Sequence, residues 1–387
     1  MRSAFDHSIP LLLAIAAFGP IARAQGPVIR DSAGVRIVEN SARASAPILY
    51  TLGPTARFDV GGLEQNPDLE FNPNQGYLRG AWLSNRGLAV IDEVRIHIFD
   101  SQGKRLTVVG RKGKGPEEFT YVTSLCGTRG DTLVASDANS RRVAVLTGNG
   151  AAVRTFAQDT LGSPPFSGCF DDGTVLLQKL KSVPGMPGTM RLTRVRLDGT
   201  VVNRIGDFDA GTFDMVTQSA PTVVASGQRV YWGDPRTSEV RVFSAAGKLM
   251  SVIRSADVGA AISSDDVERR FRLTIPRNTP EAEVTKRLDR MRTLPHATHW
   301  PTYRDMHVDP TGQLWIQDYA TTYPSADGWA LFDAKGNLRG RLVIPAPKQG
   351  ARPLQIISFG ANEILVRQTD ADGAAHLTVY PLVSAKR

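Results

Sequence analysis

Apolar and polar residues alternate along most of this chain in short bursts, and each burst stops at an aspartate or a glycine. Leu133 to Gly150, LVASDANSRRVAVLTGNG, and Val230 to Gly247, VYWGDPRTSEVRVFSAAG, align without a gap. In both, an aspartate (Asp137, Asp234) precedes a Val-x-Val pair (Val143 and Val145; Val240 and Val242), and a glycine turn follows. Successive side chains of a strand point to opposite faces, so a period of two bounded by Asp/Gly turns predicts antiparallel hairpins.

Looser copies keep the same order. Leu88 to Gly110 carries Asp92 with Ile96 and Ile98, and Thr174 to Val202 has Gln178 where the aspartate would stand. Leu314 to Gly340 carries Asp318, and Ile364 to Leu382 closes the series. Setting aside the irregular stretch 258–300, the spacing is about 44 residues per copy, inside the propeller-blade range of roughly 40 to 50. Small antiparallel units cannot cover both of their apolar faces alone, whereas stacking around an axis covers them. The expectation is an all-β fold, a six-bladed β-propeller over residues 25–387. The alternating run Ala56 to Val60 is expected to serve as an N-terminal closing strand. It would complete the blade whose other strands lie near Leu354 to Ser358, Ile364 to Gln368 and Leu377 to Leu382.

Residues 258–300 change the period. Ser263 with Asp266 three positions on forms a capping arrangement, followed by Val267 and Phe271 on one helical face. Thr279-Pro280 opens a second helix with Val284 and Leu288 on a stripe. A small helical insertion between blades four and five is predicted, its apolar stripes packed on the propeller's rim or mouth.

The first 24 residues differ again. Arg2 precedes an apolar run from Ile9 to Ile21, and Ala22-Arg23-Ala24 places small residues where a signal peptidase reads, so residues 1–24 are read as a signal peptide. No later segment approaches 18 consecutive apolar residues, so no membrane span is expected. The implied location is secreted or periplasmic. With 41% hydrophobic and 22% charged residues among 387, the chain has the composition of a folded protein. The formal net charge of +8 comes from scattered Lys and Arg, with Arg111-Lys112-Gly113-Lys114 the only tight group, so nucleic acid is not expected as a partner.

That group lies in Gly110 to Phe119, GRKGKGPEEF. A phosphate-binding loop of the Walker type needs G-x-x-x-x-G-K-[ST] ahead of a helix; here no Ser or Thr follows the lysines and the downstream TYVTSLCG reads as a strand. A glycine-permitted turn between two blades fits instead. The stretch also resembles the blade junction of exported six-bladed β-propellers related to NHL repeats, although Glu117 stands where a glycine is common. The resemblance extends to Tyr303 to Tyr319 (YRDMHVDPTGQLWIQDY), Trp329 to Pro345 and Leu377 to Leu382. It implies the architecture but no single activity: some similar propellers are lactonases or sugar-acid hydrolases with a central metal held by Glu, Asn and Asp, and no such set can be selected here.

Candidate chemistry is sparse. Asp92, Asp137, Asp234 and Asp318 occupy like positions; a carboxylate ring would suit Ca²⁺, but a repeated turn explains the repeat more simply. His296-x-x-His299 lacks the i, i+4 spacing of helical zinc sites, so neither a metal nor another cofactor is implied. If a ligand binds, the mouth under the helical insertion is the natural place, with Arg79, Tyr303, Arg304 and His299 as the candidate contacts. Cys126 and Cys169 lie 43 residues apart, one blade, both at the start of a predicted inner strand. In an oxidising compartment a Cys126–Cys169 disulfide is expected, two free thiols being the alternative. The preferred reading is a binding or interaction module for a peptide, glycan, small ligand or envelope protein. A metal-dependent hydrolase or lactonase acting in the central channel is the alternative.

Overall fold

The computed structural model of the protein describes residues 26–385 except 62–70, 72–78, 116, 129, 159–165, 182–186, 213, 215, 218, 277, 294–295, 322–324, 348–352 and 371–372. The expected signal peptide therefore lies outside the described residues. An N-terminal arm holds β1 (Val28–Ser32), β2 (Val35–Asn40), a short 3-10 turn at Arg43–Ser45, β3 (Ile48–Leu52) and β4 (Phe58–Gly61). Two complete four-stranded meanders follow. One is β5 (Gly80–Trp82), β6 (Leu88–Asp92), β7 (Arg95–Phe99) and β8 (Arg105–Val109). After a small ribbon of β9 (Arg111–Lys112) and β10 (Glu118–Phe119) comes the next: β11 (Val122–Gly127), β12 (Leu133–Asp137), β13 (Arg142–Leu146) and β14 (Ala152–Ala157). A three-stranded meander contains β15 (Val175–Lys181), β16 (Gly188–Val195) and β17 (Val201–Gly211).

A third complete meander has β18 (Thr222–Ser226), β19 (Arg229–Asp234), β20 (Glu239–Ser244) and β21 (Leu249–Ser255). The helices α1 (Ser264–Thr274) and α2 (Glu281–Arg292) precede the fourth, β22 (Tyr303–Val308), β23 (Leu314–Asp318), β24 (Asp327–Phe332) and β25 (Leu338–Ile344). The chain ends in β26 (Gln355–Phe359), β27 (Glu363–Thr369) and β28 (Ala375–Ser384). The fold is all-β with a propeller-like arrangement.

The expectation of six equal units needs correction, because only four meanders are complete four-stranded sheets. Ahead of β15 the described residues pair only through isolated bridges, Cys169 to Val175 and Gly168 to Ala225. Gly168 sits there at φ 118°, a backbone conformation that interrupts a strand and that side-chain-bearing residues rarely adopt. At the C-terminal end the outer strand is borrowed. β4 pairs antiparallel with β28, Phe58 opposite Val379 and Gly61 opposite His376, as the alternating run near Ala56 predicts.

Second strands such as β6 and β12 are buried at every position, since apolar layers cover both of their faces. Ile91, Leu133 and Ala135 fill the space between β5–β8 and β11–β14; Phe170, Met190, Val230 and Trp232 fill that between β15–β17 and β18–β21. Leu88, Val90, Leu365 and Leu377 pack the last meander against the first.

The rest of the arm takes other outer edges. β2 adds in parallel to β21, and β3 adds in parallel to β25 while also pairing with β28. Arg43, 2% exposed, anchors this path: its backbone N–H and its guanidinium both reach the Asp257 carboxylate, and the guanidinium also pairs with Asp318 (Nε to Oδ1, 3.4 Å) and donates to the Thr302 carbonyl. Asn40 ties β2 to the neighbouring sheet by donating to the Arg254 and Gly336 carbonyls and accepting from the Leu338 N–H.

Both helices expected from the sequence are present. Ser263 caps α1 with a reciprocal Asp266 box, and Val267, Phe271, Val284 and Leu288 pack with Val216 and Trp300. Cys126 and Cys169 form a disulfide with Cα atoms 5.8 Å apart, linking β11 to the segment before β15. A loop closed over this separation removes unfolded-state entropy equivalent to about 4 kcal/mol. No described helix is long and apolar enough to cross a membrane.

Candidate functional site

The glycine-rich loop is a turn, and it fills its own anion cradle. The Glu118 carboxylate accepts from the Gly115 N–H (2.8 Å) and from Arg111 Nε (2.9 Å), which hold its pKa below the usual carboxylate range. Arg142 donates to the Lys114, Gly115 and Glu118 carbonyls, and Phe119 is buried beneath. At Gly110, φ 96°, an added Cβ would meet the Val94 carbonyl.

The repeated aspartates serve turns and ion pairs. Asp137, fully buried, accepts from the Thr120 N–H and hydroxyl, the Tyr121 N–H and the Ser140 N–H. Burial pushes its pKa up, but these donors outweigh burial and leave it lowered. Asp234 is held bidentately by Arg236, Asp318 pairs with Arg43 and Arg341, and Asp92 pairs with Arg95. Among the described residues no three His, Cys, Asp or Glu side chains gather as a metal would need.

The sign for Asp137 follows from linkage. With its folded pKa below the unfolded value of about 3.9, it contributes stability that is full above that value and is lost as pH falls through the folded pKa. Asp137→Asn is expected to cost about 2 kcal/mol at neutral pH, by weakening charge-assisted bonds to buried donors, and to flatten the acid limb of stability. Urea titrations from neutral pH down to pH 3 measure both effects.

Of the residues that the sequence offers as ligand contacts, Tyr303 is core. It is 1% exposed among Tyr231, Val240, Met306 and Ile316; burial raises its pKa well above the ordinary phenol value, and its hydroxyl has no hydrogen-bond partner. His299 is exposed at the foot of the helical pair, bridged to Ala261 with its Nδ1 3.0 Å from the Thr298 hydroxyl; His296 stays with the Ala297 carbonyl.

Arg79 and Arg304 behave differently. Arg304 is the bulged residue of β22, between the Tyr303–Asp318 and Asp305–Gln317 pairs, and it is exposed. Arg79 precedes β5 and is half-buried, its carbonyl accepting the Ile91 N–H (3.0 Å). Neither guanidinium makes an ion pair or hydrogen bond among the described residues. Around them stand groups that sequence reading underweights. The His307 ring lies edge-on to Trp329 (5.3 Å) and Phe359 (5.7 Å), with its Nε2 3.8 Å from Asp305 Oδ2. Burial lowers the His307 pKa and the Arg79 charge lowers it further, against the opposing pull of Asp305, so the ring is neutral at pH 7. Asp327 accepts from Gln317 (2.8 Å) and the Trp329 indole N–H (3.0 Å); burial raises its pKa, while Arg304 pulls the other way. A neutral imidazole on an aromatic seat, with the Arg79 charge near it, can seat a polar ligand.

A separate cavity of about 270 Å³ lies between β17 and β19–β20, lined by Phe208, Trp232, Asp234, Glu239 and Arg241 among others. Its charges are spent internally: Asp234 on Arg236, Glu239 on Arg241 and Arg254.

Comparison with solved structures places the chain in a fold class and goes no further. A member of the DUF4221 family from Bacteroides vulgatus superposes with a TM-score of 0.51 at 11% identity, covering 87% of this chain and 99% of that one. An exported protein from Bacteroides fragilis gives a TM-score of 0.48 at 11% identity over 90% of this chain and 100% of that one. A gluconolactonase from Xanthomonas campestris gives 0.42 at 15% identity over 81% and 89%. No family model matches the chain, and no curated protein matches it.

Proposed function

We propose that the protein is an exported six-bladed β-propeller that acts as a binding module, its ligand entering where the first strands of the blades begin. In this reading β15–β17 and β26–β28 count as blades, one with a broken first strand and one completed by β4. Support comes from the cyclic order of apolar clusters: each joins consecutive meanders and one joins the last to the first. Any other number of sectors in an experimental structure removes the ring. Export rests on the pattern of residues 1–24 and agrees with a disulfide. The kinship with NHL repeats rests on the junction residues alone.

The observation that carries binding over a purely structural role is the pair of unpaired arginines beside His307. Several other arginines of the chain are tied to carboxylates, as Arg86 is to Glu363, Arg191 to Asp207 and Arg236 to Asp234. A thermal-shift screen of peptides, glycans and small metabolites on the chain from residue 25 tests the reading, since a ligand at 100 times its Kd stabilises by about 2.7 kcal/mol. The expected result is a ligand whose shift survives chelator and disappears in His307→Ala. A stoichiometric metal, with hydrolytic turnover lost on chelation, would overturn it in favour of a hydrolase or lactonase.

A further inference from the structure

Two first strands are bulged at one level, and a third, β5, places an arginine one position away in regular pairing. β11 is bulged at Thr123, between the Val122–Asp137 and Ser124–Ser136 pairs. β22 is bulged at Arg304, between Tyr303–Asp318 and Asp305–Gln317. In both, the residue before the bulge faces the last residue of the second strand, so Thr123 and Arg304 hold equivalent places in their meanders. Arg79, opposite Ile91 one position before the end of β6, matches Ser124 and Asp305. A bulge re-aims a side chain that regular pairing would send into the layer between sheets.

What these positions carry is unpaired. Thr123 is only 7% exposed, yet its hydroxyl has no hydrogen-bond partner among the described residues. A buried hydroxyl without a partner costs free energy that a ligand or an ordered water would recover. Arg79 and Arg304 bring two guanidiniums, each a planar fork of donors suited to an oxyanion. The nearby carboxylates do not neutralise them. Asp327 is engaged by Gln317 and Trp329, while Asp305 accepts the Met306 N–H (2.8 Å) and keeps an oxygen 3.8 Å from His307. Asp305, 32% exposed, remains an acceptor beside His307.

We infer that the site binds a small oxyanion, a carboxylate or phosphate, on a ligand that also carries a hydroxyl group. Arg79 and Arg304 take the anion, Asp305 takes the hydroxyl, and His307 with its Trp329–Phe359 seat receives the body of the molecule. The inference rests on the binding-module reading and narrows its ligand. Like charge at Asp305 disfavours a ligand that is anionic throughout, and the two arginines disfavour a cation.

Isothermal titration at low ionic strength with four probes tests it: glycerate, glycerol 3-phosphate, glycerol and choline. The expected result is binding of at least one of the two anions, no binding of glycerol or choline at the same concentration, and weakening of roughly tenfold or more in Arg304→Gln and in Arg79→Gln. The stronger of glycerate and glycerol phosphate identifies carboxylate or phosphate as the anion. Arg304 is exposed, so Arg304→Gln is expected to keep the wild-type urea midpoint, which separates lost binding from lost folding. Failure of both anions, equal binding of glycerol, or anion binding unchanged in both variants overturns the inference. If the anions fail while a different ligand from the screen depends on His307, the oxyanion falls and the binding module stands.

Discussion

A chain that begins at Gly76, and so lacks β1 to β4, is expected to lose cooperative unfolding or to melt far below the chain that begins at residue 25. β4 is the outer strand against β28, and Phe58, 8% exposed, packs on Leu377 and Val379 and against Gly103. Its removal bares a sheet edge and one side of the layer between the last meander and the first. Arg57 goes with it. That side chain pairs with Glu363 (2.9 Å), itself only 6% exposed, and donates to the Ser101 and Arg86 carbonyls. β2 and β3 leave as well, opening the edges of β21 and β25, and exposed edges invite pairing with other chains. Removing β1 alone is the control. Every residue of β1 is exposed and it pairs only with β2, so a chain starting at Ser32 is expected to melt within a few degrees of the longer one. Calorimetry on the three lengths measures both effects, and equal melting temperatures for the Gly76 chain would refute the clasp.

Arg43→Met is expected to destabilise by about 3 to 5 kcal/mol, the usual cost of removing one partner from a buried ion cluster. Methionine keeps most of the apolar stem, so the loss reads out the charge. Asp257 would lose its guanidinium partner, and Asp318 would keep only Arg341. Burial already raises the Asp318 pKa against the pull of Arg341 and Arg43. Without Arg43 that pKa rises further, so the penalty is full at neutral pH, where the carboxylate must stay charged, and shrinks as acid neutralises it. Adding Asp257→Asn is expected to recover part of the loss. Urea midpoints of the single and double variants decide it; a single variant within 1 kcal/mol of the parent would show that Arg43 is not an anchor.

Sequence reading placed the closing strand β4 but barely touched the arm ahead of it. Residues 28–52 hold an Asp-to-Gly turn at Asp31 to Gly34 that was not counted with the repeats, and nothing local distinguishes Arg43 from the other basic residues. The repeat itself was visible because strand alternation and turn chemistry are properties of neighbouring residues. The α1 capping box was legible for the same reason, and the cysteine pair was legible because its 43-residue separation matches the repeat. Equal blades were too simple an extrapolation: Gly168 interrupts one first strand at a place where the sequence still looks strand-like.

Sequence reading named four candidate contacts. Arg79 and Arg304 were picked for their place at the start of first strands, and they stand free of partners; Tyr303, picked for the same reason, is core, because the bulge at Arg304 leaves it facing the layer of Tyr231 and Met306. His299 was drawn from a crowded run of polar residues, but sequence crowding is not spatial convergence. Thr123 and Asp327 had no signal at all.

The order of residues thus settles the strands, the turns, the inserted helices and the spacing of the cysteines, since each depends on contacts a few positions apart. Folding in space settles which edge each arm strand occupies, why one arginine is buried among carboxylates and why two others are left unpaired at one level. Those outcomes depend on register between segments hundreds of residues apart, as Asn40 is from Leu338, and no local pattern encodes such a register.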